Sequence, residues 1–230
     1  NTIIRPPSRF SRLFHYHFVS HLNSLYPDAL VSTDSGNTTP YVSESWISIH
    51  PKSFFSPTDY SSMGFSLPCM YGALKHSNKT GIAFVGDGAF LMTYQILSQI
   101  KQNNTNVIIV VFRDNQLGMI HGIQVKSNHK TTTSIPHYDL KYFAELFDFH
   151  FYNFKQHDTF YPQLKTPCIV EYEIHYNIPS YFAKGLSLCK IPKQILFNPY
   201  DIWRILESAS SLYPNNIAFE SFTYSNMYYM

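Results

Sequence analysis

The stretch from Gly81 to Met119 constrains the fold of this chain more than any other part of the sequence. It contains two short apolar runs, Ile82 to Val85 and Val107 to Phe112, joined by a segment with apolar residues near helical spacing. The first run ends in Gly86-Asp87-Gly88 and the second in Asp114-Asn115. This order predicts a strand, a tight turn, a helix, a strand and a second turn, which together form a parallel βαβ unit. Both turns would lie at the C-terminal edge of the sheet, where open α/β sheets bind ligands.

The residues of the two turns indicate a site for a phosphate and a divalent cation. Gly86 and Gly88 allow the backbone to turn sharply and to approach a ligand closely. The helix after Gly88 would direct its free N–H groups at that ligand, which favours phosphate. Asp87 would repel a phosphate unless a cation lay between them, and Mg²⁺ is usually held by one or two carboxylates plus phosphate oxygens and water. Asp114, at the end of the next strand, is placed to be the second metal ligand.

Four motifs along the chain, TDSGN, SMGFSLP, GDG and Asp114-Asn115 in that order, resemble those of thiamine-diphosphate enzymes. The GDG turn followed by a helix, an apolar strand and Asp114-Asn115 resembles their cofactor signature. Ser62 to Pro68 (SMGFSLP) resembles the MGFGLP stretch of the acetolactate synthase and 2-oxoacid decarboxylase branch, and Thr33 to Asn37 (TDSGN) resembles its TDxGN stretch. The Asp-Asn pair is similar to that of some phosphonopyruvate- and sulfopyruvate-type decarboxylases. The resemblance covers roughly Pro7 to Ile174, which corresponds to the diphosphate-binding (PP) module of these enzymes.

The resemblance implies thiamine diphosphate and Mg²⁺ as cofactors. Asp87, Asp114 and the backbone carbonyl of Gln116 would be the metal ligands, and a one-residue shift of the alignment would make Asn115 the ligand in place of Asp114. Asp114 stands where the family normally has Asn, and Arg113 replaces the Asn before it. Two carboxylates would tighten Mg²⁺ binding and weaken cofactor binding, and Arg113 would offset part of the extra negative charge.

Further cofactor contacts are implied at four places along the chain. They are Gly36, Asn37 and Thr38; Ser61 and Met63; Gly86, Asp87, Gly88, Ala89 and Phe90; and Asn115, Leu117, Gly118 and Met119. The amides from Gly88 to Phe90 would hold the diphosphate. Met63 would support thiamine in its bent form, although plain core packing is the alternative for a Met near a helix start. His121 is a candidate substrate group, and a solvated loop position is its alternative.

The activating group of the family is missing from this chain. In the family, a Glu on a separate pyrimidine-binding (PYR) domain starts the proton relay on the cofactor, and no Glu here lies in a matching context. The resemblance therefore assigns no catalytic residue to this chain. Three explanations remain open: a partner subunit supplies the PYR half, the chain is a fragment that lacks an N-terminal segment, or it is a degenerate binding module.

The predicted function is the diphosphate- and Mg²⁺-binding half of a thiamine-diphosphate-dependent 2-oxo acid decarboxylase or carboligase. The isolated chain would be inactive, and a dimer or larger assembly would be needed to act on a small 2-oxo acid. The alternative is a non-catalytic relic of the PP fold, kept as a binding or assembly subunit. A dinucleotide-binding domain is disfavoured because no GxGxxG follows a strand.

The predicted architecture is a three-layer α/β/α domain with a mostly parallel sheet of about six strands. A linker would occupy residues 1–9, the PP domain residues 10–178, and a C-terminal extension residues 179–230, with one helix. Predicted helices outside the central unit are Phe10–Leu25, Ser62–His76 with Pro68 in its first turn or at a kink, Tyr138–Phe147, Asp158–Leu164 and Asp201–Tyr213. Predicted strands are Ala29–Thr33, Trp46–Ile49, Phe149–Phe154 and Cys168–Ile174. Residues 54–61 and 121–136 would be loops, the second one mobile over the site, and Glu171 and Glu173 would form an exposed strand face.

Composition excludes some classes of partner. The net charge of +2 is too small to favour nucleic acid or an anionic membrane. No apolar run reaches the ~18 residues that a membrane helix needs. The three cysteines, Cys69, Cys168 and Cys189, are far apart and make no zinc pattern, which fits a reducing, cytoplasmic compartment.

Overall fold

The computed structural model describes residues 14–43, 45–126, 132–155, 158 and 161–174. The predicted linker at residues 1–9 and the predicted extension at residues 179–230, with its helix, lie outside the described residues. Within the described ranges, no helix is both long enough and apolar enough to cross a membrane.

Six parallel strands form a single sheet. They are β1 (Leu30–Thr33), β2 (Phe54–Phe55), β3 (Gly81–Gly86), β4 (Val107–Arg113), β5 (His150–Phe154) and β6 (Cys168–Glu173). Their order across the sheet is β2-β1-β3-β4-β6-β5, and every neighbouring pair is parallel. The predicted βαβ unit and the predicted parallel sheet of about six strands are confirmed.

Helices cover both faces of this sheet. They are α1 (Phe14–Leu25), α2 (Thr38–Ser43), α3 (Ser66–Leu74), α4 (Asp87–Thr93), α5 (Leu97–Gln102), α6 (Gly118–Lys126) and α7 (Leu140–Phe147), and a 3₁₀ turn (Tyr94–Ile96) joins α4 to α5. Successive residues of β3 enter two separate apolar clusters, because side chains alternate across a strand. Ile82 and Phe84 pack in the cluster that contains α1, and Ala83 and Val85 pack in the one that contains α3. The predicted three-layer arrangement is therefore confirmed.

The central strand β4 explains why the sequence pattern was so clear there. All seven of its residues, from Val107 to Arg113, are buried. A strand covered on both faces has no solvent side, so its sequence is an unbroken apolar run rather than an alternation. Arg113 is the one charged residue of the strand, and it lies at the end where the predicted site begins.

The second strand along the chain lies outside its predicted place. Trp46 to Ile49 form no strand, and β2 is Phe54–Phe55, which was predicted as loop. Phe54 and Phe55 align with Val31 and Ser32 of β1. Trp46 is buried in the cluster with α1, so its apolar character reflects packing rather than strand pairing.

Two further predictions near the C-terminal half were wrong. The predicted loop at residues 121–136 begins as helix, since α6 continues to Lys126 and the His121 N–H donates to the Leu117 carbonyl (2.9 Å). Tyr161 to Leu164, predicted as helix, are irregular. Pro162 has no N–H to donate, and the Leu164 N–H donates to the Tyr26 hydroxyl (2.8 Å) rather than to a helical carbonyl.

Two helix starts follow from local chemistry. Pro68 is the third residue of α3, which places it in the first turn, where its missing N–H costs nothing. The predicted first-turn placement is confirmed, although the helix starts at Ser66 rather than Ser62. The start of α7 is capped by Asp139, whose carboxylate accepts the Lys141 N–H (2.8 Å).

Candidate functional site

The C-terminal ends of β1, β3 and β4 meet at one edge of the sheet, as predicted for a ligand site. A side-chain Cβ built on Gly86 would lie 3.8 Å from Thr38 Oγ1, so the turn after β1 adjoins the GDG turn after β3. Gly36, in the first of these turns, has a φ of +80°, which glycine adopts at little cost. Asn37 accepts the Tyr41 N–H through its carbonyl, and Thr38 is buried as the first residue of α2.

Asp34 connects the turn after β1 to the loop that carries Met63. Its side chain is fully buried (0% exposed). Oδ1 accepts the N–H groups of Ser35 and Gly64 at 2.9 Å each, and Oδ2 accepts that of Ser66 at 2.9 Å. Burial raises the pKa of Asp34, and four backbone N–H groups, those of Ser66, Gly64, Ser35 and Phe65, act in the opposite direction. Asp34 belongs to the motif from Thr33 to Asn37, but the motif predicted no role for it.

Met63 lies on the surface next to the GDG turn. It is 38% exposed, so core packing does not explain it. A Cβ built on Gly88 would lie 3.3 Å from Met63 Cε. Ser61 adjoins the turn after β1, since its Oγ is 3.2 Å from Ser35 Oγ. Both predicted residues of this loop are therefore close to the other predicted site residues.

Asp87 joins the GDG turn to the turn after β4. Its side chain is 2% exposed. Oδ1 accepts the Gly88 N–H (2.8 Å), and Oδ2 accepts the Asn115 N–H (2.7 Å). Burial raises the pKa of Asp87, while these N–H groups and the charge of Arg113 lower it.

Neighbouring side chains pack tightly against the backbone at Gly88. A Cβ there would lie 3.0 Å from Ile135 Cδ1 and 3.1 Å from Leu117 Cδ2, in addition to Met63. The Ala89 and Phe90 side chains are buried in the core, so only their backbone N–H groups could contact a ligand. Gly118, which begins α6, and the exposed Met119 follow Leu117 directly.

Asp114 carries the most perturbed carboxyl group of this edge. Burial, and next the negative charge of Asp87, raise its pKa to about 7. The two carboxylates therefore repel each other, and a divalent cation between them would remove that repulsion. No group of three or more His, Cys, Asp or Glu side chains in the described ranges is arranged to hold a metal. A metal here would need backbone carbonyl and ligand oxygens as well, which is the donor set that Mg²⁺ prefers.

Asp114 is a better candidate ligand than Asn115. The Asn115 Oδ1 accepts a hydrogen bond from Arg113 Nε (3.1 Å), and its carbonyl accepts the Ile135 N–H (2.9 Å). Among the described residues, none donates to the Gln116 carbonyl. In the shifted alignment, Asn115 Oδ1 would have to bind the metal while it accepts the hydrogen bond from the positively charged Arg113.

Arg113 is held by a network on the far side of β4. It is 5% exposed, and its Nε lies 3.3 Å from Oε1 of Glu171. Nη2 donates to the Tyr138 carbonyl and lies 3.2 Å from His137 Nδ1. The prediction of an exposed face at Glu171 was wrong, because its side chain is only 12% exposed and pairs with this buried cation. Next to the pair is a cavity of about 610 Å³ that Arg113, Tyr138, Glu171 and Glu173 help to line.

Residues 132–139 lie against the same edge, as predicted for the loop over the site. The Leu117 N–H donates to the Thr133 carbonyl (2.7 Å), and the Tyr138 hydroxyl donates to the Asp87 carbonyl (2.8 Å). His121, a predicted candidate for a substrate group, has its Nδ1 3.1 Å from Thr133 Oγ1. The backbone bonds hold this stretch in place, a result that its polar sequence did not indicate.

Comparison with known proteins gives the same result as the motifs. The family model described as thiamine pyrophosphate enzyme, C-terminal TPP binding domain, matches residues 34–170. The chain is 28% identical over 127 residues to the acetolactate synthase isozyme 2 large subunit of Escherichia coli, covering 54% of this chain and 23% of the relative. It is 32% identical over 99 residues to a probable 2-ketoarginine decarboxylase of Pseudomonas aeruginosa, covering 42% and 18%. A probable acetolactate synthase large subunit of Methanocaldococcus jannaschii is 28% identical over 104 residues, covering 45% and 18%. The chain thus spans about a fifth of the length of these relatives.

Proposed function

Because the chain belongs to the family of thiamine pyrophosphate enzymes, as a C-terminal TPP-binding domain, we propose that it holds the cofactor's diphosphate through Mg²⁺ at the edge formed by β1, β3 and β4. One observation carries this proposal. Asp87 Oδ2 accepts the N–H of Asn115, the residue directly after Asp114 (2.7 Å), and the negative charge of Asp87 raises the pKa of Asp114. A buried carboxylate next to a half-buried one is costly without a cation, and Mg²⁺ is the partner that also binds diphosphate.

Some of these protein groups bind the diphosphate end of the cofactor, and others bind its thiamine end. Asp87, Asp114 and the Gln116 carbonyl hold Mg²⁺, and the N–H groups from Gly88 to Phe90 bind the diphosphate. Gly36 to Thr38 contact the diphosphate from the turn after β1. At the other end, Met63 supports the bent thiamine, and the Ser61 carbonyl and the Met63 N–H bind its pyrimidine edge. The closeness of Met63 Cε to Gly88 supports this division.

The chain supplies one half of the reaction site. When bound, thiamine diphosphate supplies the carbanion chemistry, and protein groups orient and tune it. The activating Glu comes from a PYR domain, on a partner subunit or on a segment N-terminal to this chain. The relatives are named as acetolactate synthases and a decarboxylase, which supports decarboxylation or carboligation of a small 2-oxo acid. The working form is a dimer or larger assembly in the cytoplasm.

Turnover with and without a PYR partner tests the half-site proposal. The chain is assayed with thiamine diphosphate, Mg²⁺ and a panel of 2-oxo acids, alone and after mixing with a candidate PYR subunit. We expect no decarboxylation by the chain alone and restored turnover in the mixture. Turnover by the isolated chain would contradict the half-site proposal, because the activating Glu would then have to lie within it.

A non-catalytic role as a binding or assembly subunit is the second candidate. The observation that favours it concerns Arg113, which stands where the family has Asn. Its side chain pairs with Glu171 and donates to the Tyr138 carbonyl. A relic of this kind would release no metal-dependent heat on titration with thiamine diphosphate, whereas the half-site proposal requires such heat.

A further inference from the structure

We propose that Asp34 is a positioning residue that sets the shape of the loop from Ser61 to Ser66, and so the place of Met63 under the cofactor. The inference rests on the proposed function, since it concerns how this chain shapes one part of the cofactor site. Asp34 itself lies at the end of β1 and is fully buried, so it acts through the loop and not through contact with a ligand.

The geometry of the carboxylate carries the inference. Gly64 and Ser66 are on either side of Phe65, and both donate their N–H groups to Asp34 at 2.9 Å, one to each oxygen. Oδ1 also accepts the Ser35 N–H at 2.9 Å. One buried side chain therefore fixes the turn after β1 and the loop of Met63 to each other. Bonds from a charged acceptor are about twice as strong as neutral ones, which suits this task.

The local structure of the loop shows why an outside anchor is needed. Gly64, directly after Met63, has a φ of +83°, so the chain reverses there. The α3 helix begins at Ser66 after Phe65, which provides no side-chain cap. The first N–H groups of a helix have no partner within the helix. Asp34 accepts one of them from a distant part of the sequence, and its negative charge suits a helix N-terminus.

The role requires a carboxylate and not merely a polar residue of the same size. Both carboxylate oxygens of Asp34 accept hydrogen bonds, and neither has to donate one. Asn has one oxygen and one NH₂ group, so Asp34→Asn would turn a donor toward the N–H of Gly64 or of Ser66. The loop would lose at least one anchor while the GDG turn, which Asp34 does not contact, would keep its hydrogen bonds.

Ser32 provides a matched control on the same strand. Its Oγ is buried, donates to the Ser66 carbonyl (3.0 Å) and lies 2.8 Å from Ser66 Oγ. Ser32→Ala therefore removes buried hydrogen bonds to the same helix start but leaves the N–H groups that Asp34 holds. A merely structural role for Asp34 predicts the same behaviour for Ser32→Ala and Asp34→Asn.

Hydrogen–deuterium exchange of the full chain, with Mg²⁺ alone and with Mg²⁺ plus thiamine diphosphate, tests the inference. In the unmodified chain we expect the cofactor to slow exchange at residues 61–66 and at residues 86–90. In Asp34→Asn the slowing at 61–66 is lost and that at 86–90 remains, while Ser32→Ala keeps both. Asp34→Ser, which keeps a short acceptor for the neighbouring N–H, is the second variant if Asp34→Asn fails to fold.

Affinities measured by titration give an independent readout. Asp34→Asn should weaken binding of thiamine diphosphate by about tenfold, since a lost bond to a charged group leaves unpaired N–H groups in the loop. Binding of Mg²⁺ with inorganic diphosphate should stay within about twofold, because that ligand has no pyrimidine end.

The outcomes distinguish the inference from the proposed function. Slowing at residues 61–66 in Asp34→Asn equal to that of the unmodified chain would overturn the inference and leave the proposed function intact. The same holds if the unmodified chain is protected at 86–90 only. Absence of any slowing in the unmodified chain would overturn the proposed function, and the inference with it.

Discussion

The two sides of β4 hold buried or half-buried carboxylates in opposite electrostatic situations. On the side of β6, Glu171 pairs with the buried cation Arg113. On the side of β3, the carboxylates of Asp87 and Asp114 accept backbone N–H groups, and burial and the charge of Asp87 raise the pKa of Asp114 to about 7. Glu171 forms a direct ion pair with its counter-charge, whereas neither Asp87 nor Asp114 forms an ion pair within the described residues.

This difference distinguishes a structural side of β4, where Glu171 stabilises the fold, from a binding side, where Asp87 and Asp114 are placed to bind a metal. A buried ion pair with its own partners contributes to the fold, and removing one member leaves an uncompensated charge. Repulsion within a carboxylate pair destabilises the protein when no metal is bound. A bound metal would remove that repulsion and so gain binding free energy. Arg113 also lowers the pKa of Asp87, so the two sides of the strand influence each other.

Removing the carboxylate on the structural side should give the largest effect. Glu171→Gln leaves Arg113 buried without its counter-charge, and we expect the free energy of unfolding to fall by about 3 kcal/mol. Chemical denaturation measures this change. The matched control is Glu145→Gln, because Glu145 belongs to an exposed pair with Lys141 (3.6 Å) and should cost less than about 0.5 kcal/mol. Similar losses in both variants would remove the distinction between the two sides of β4.

Removing a carboxylate on the binding side should change affinity more than stability, although Asp87→Asn also turns a donor toward one of the two N–H groups that Asp87 accepts. Asp87→Asn removes the negative charge of a metal ligand, and we expect the Mg²⁺-dependent affinity for thiamine diphosphate to fall about a hundredfold, or about 2.7 kcal/mol. Isothermal titration measures this loss. Asp139→Asn, a change in the cavity beside β6, should leave the affinity within about twofold. An unchanged affinity in Asp87→Asn would refute its assignment as a ligand.

The raised pKa of Asp114 makes metal binding depend on pH. Mg²⁺ binds the deprotonated carboxylate, so a pKa of about 7 means that protons compete with the metal below that pH. Apparent Mg²⁺ affinity should therefore rise about tenfold from pH 6 to pH 8. Without metal the sign is opposite for stability: because the folded state holds this proton more tightly, stability from Asp114 falls as pH rises between its ordinary pKa and about 7.

The Asp114→Asn variant is the control for this pH series. It has no proton to lose, so its Mg²⁺ affinity should be lower at pH 8 and nearly constant across the range. A wild-type pH profile that matches the profile of this variant would show that another group governs the binding.

The smallest expected effect is that of Gly88→Ala. The new methyl group would lie 3.0 to 3.3 Å from the ends of the Ile135, Leu117 and Met63 side chains. These ends can shift, so the free energy of unfolding should fall by only about 1 kcal/mol. The shifted side chains would narrow the space beside the turn, and we expect cofactor affinity to fall about fivefold, or about 1 kcal/mol.

Gly72→Ala is the glycine control for that substitution. Gly72 is within α3, and a Cβ there would meet no atom within 4 Å. Alanine should stabilise the helix by up to about 1 kcal/mol and leave cofactor affinity unchanged. If the two variants bind the cofactor equally, the space beside Gly88 is not part of the binding site.

The sequence predicted the fold where burial alone decides it. The apolar runs of β3 and β4 are covered on both faces, so the pattern could not be mistaken. The Phe54–Phe55 strand is two residues long and is defined by its pairing with Val31 and Ser32, information that local sequence does not hold. The start of α6 after Leu117 was missed because its polar residues have weak helical periodicity.

The sequence predicted the turns that form the site, but not the hydrogen bonds and ion pairs that connect them to distant residues. GDG and Asp114-Asn115 predicted one edge correctly, since strand ends in a parallel sheet meet there. The bonds of Asp34 to Gly64 and Ser66 bridge 30 and 32 residues of sequence, and those of Arg113 to Tyr138 and Glu171 are equally non-local. Alternation along β6 predicted an exposed face for Glu171, and only the approach of Arg113 from β4 explains its burial.

The most direct test of the account is a calorimetric titration of thiamine diphosphate into the chain, in Mg²⁺ and in EDTA. A saturable heat in Mg²⁺ that disappears in EDTA is the result expected of two carboxylates that lack a cation. Heat that is the same in both buffers, or no heat at saturating cofactor and metal, would contradict it.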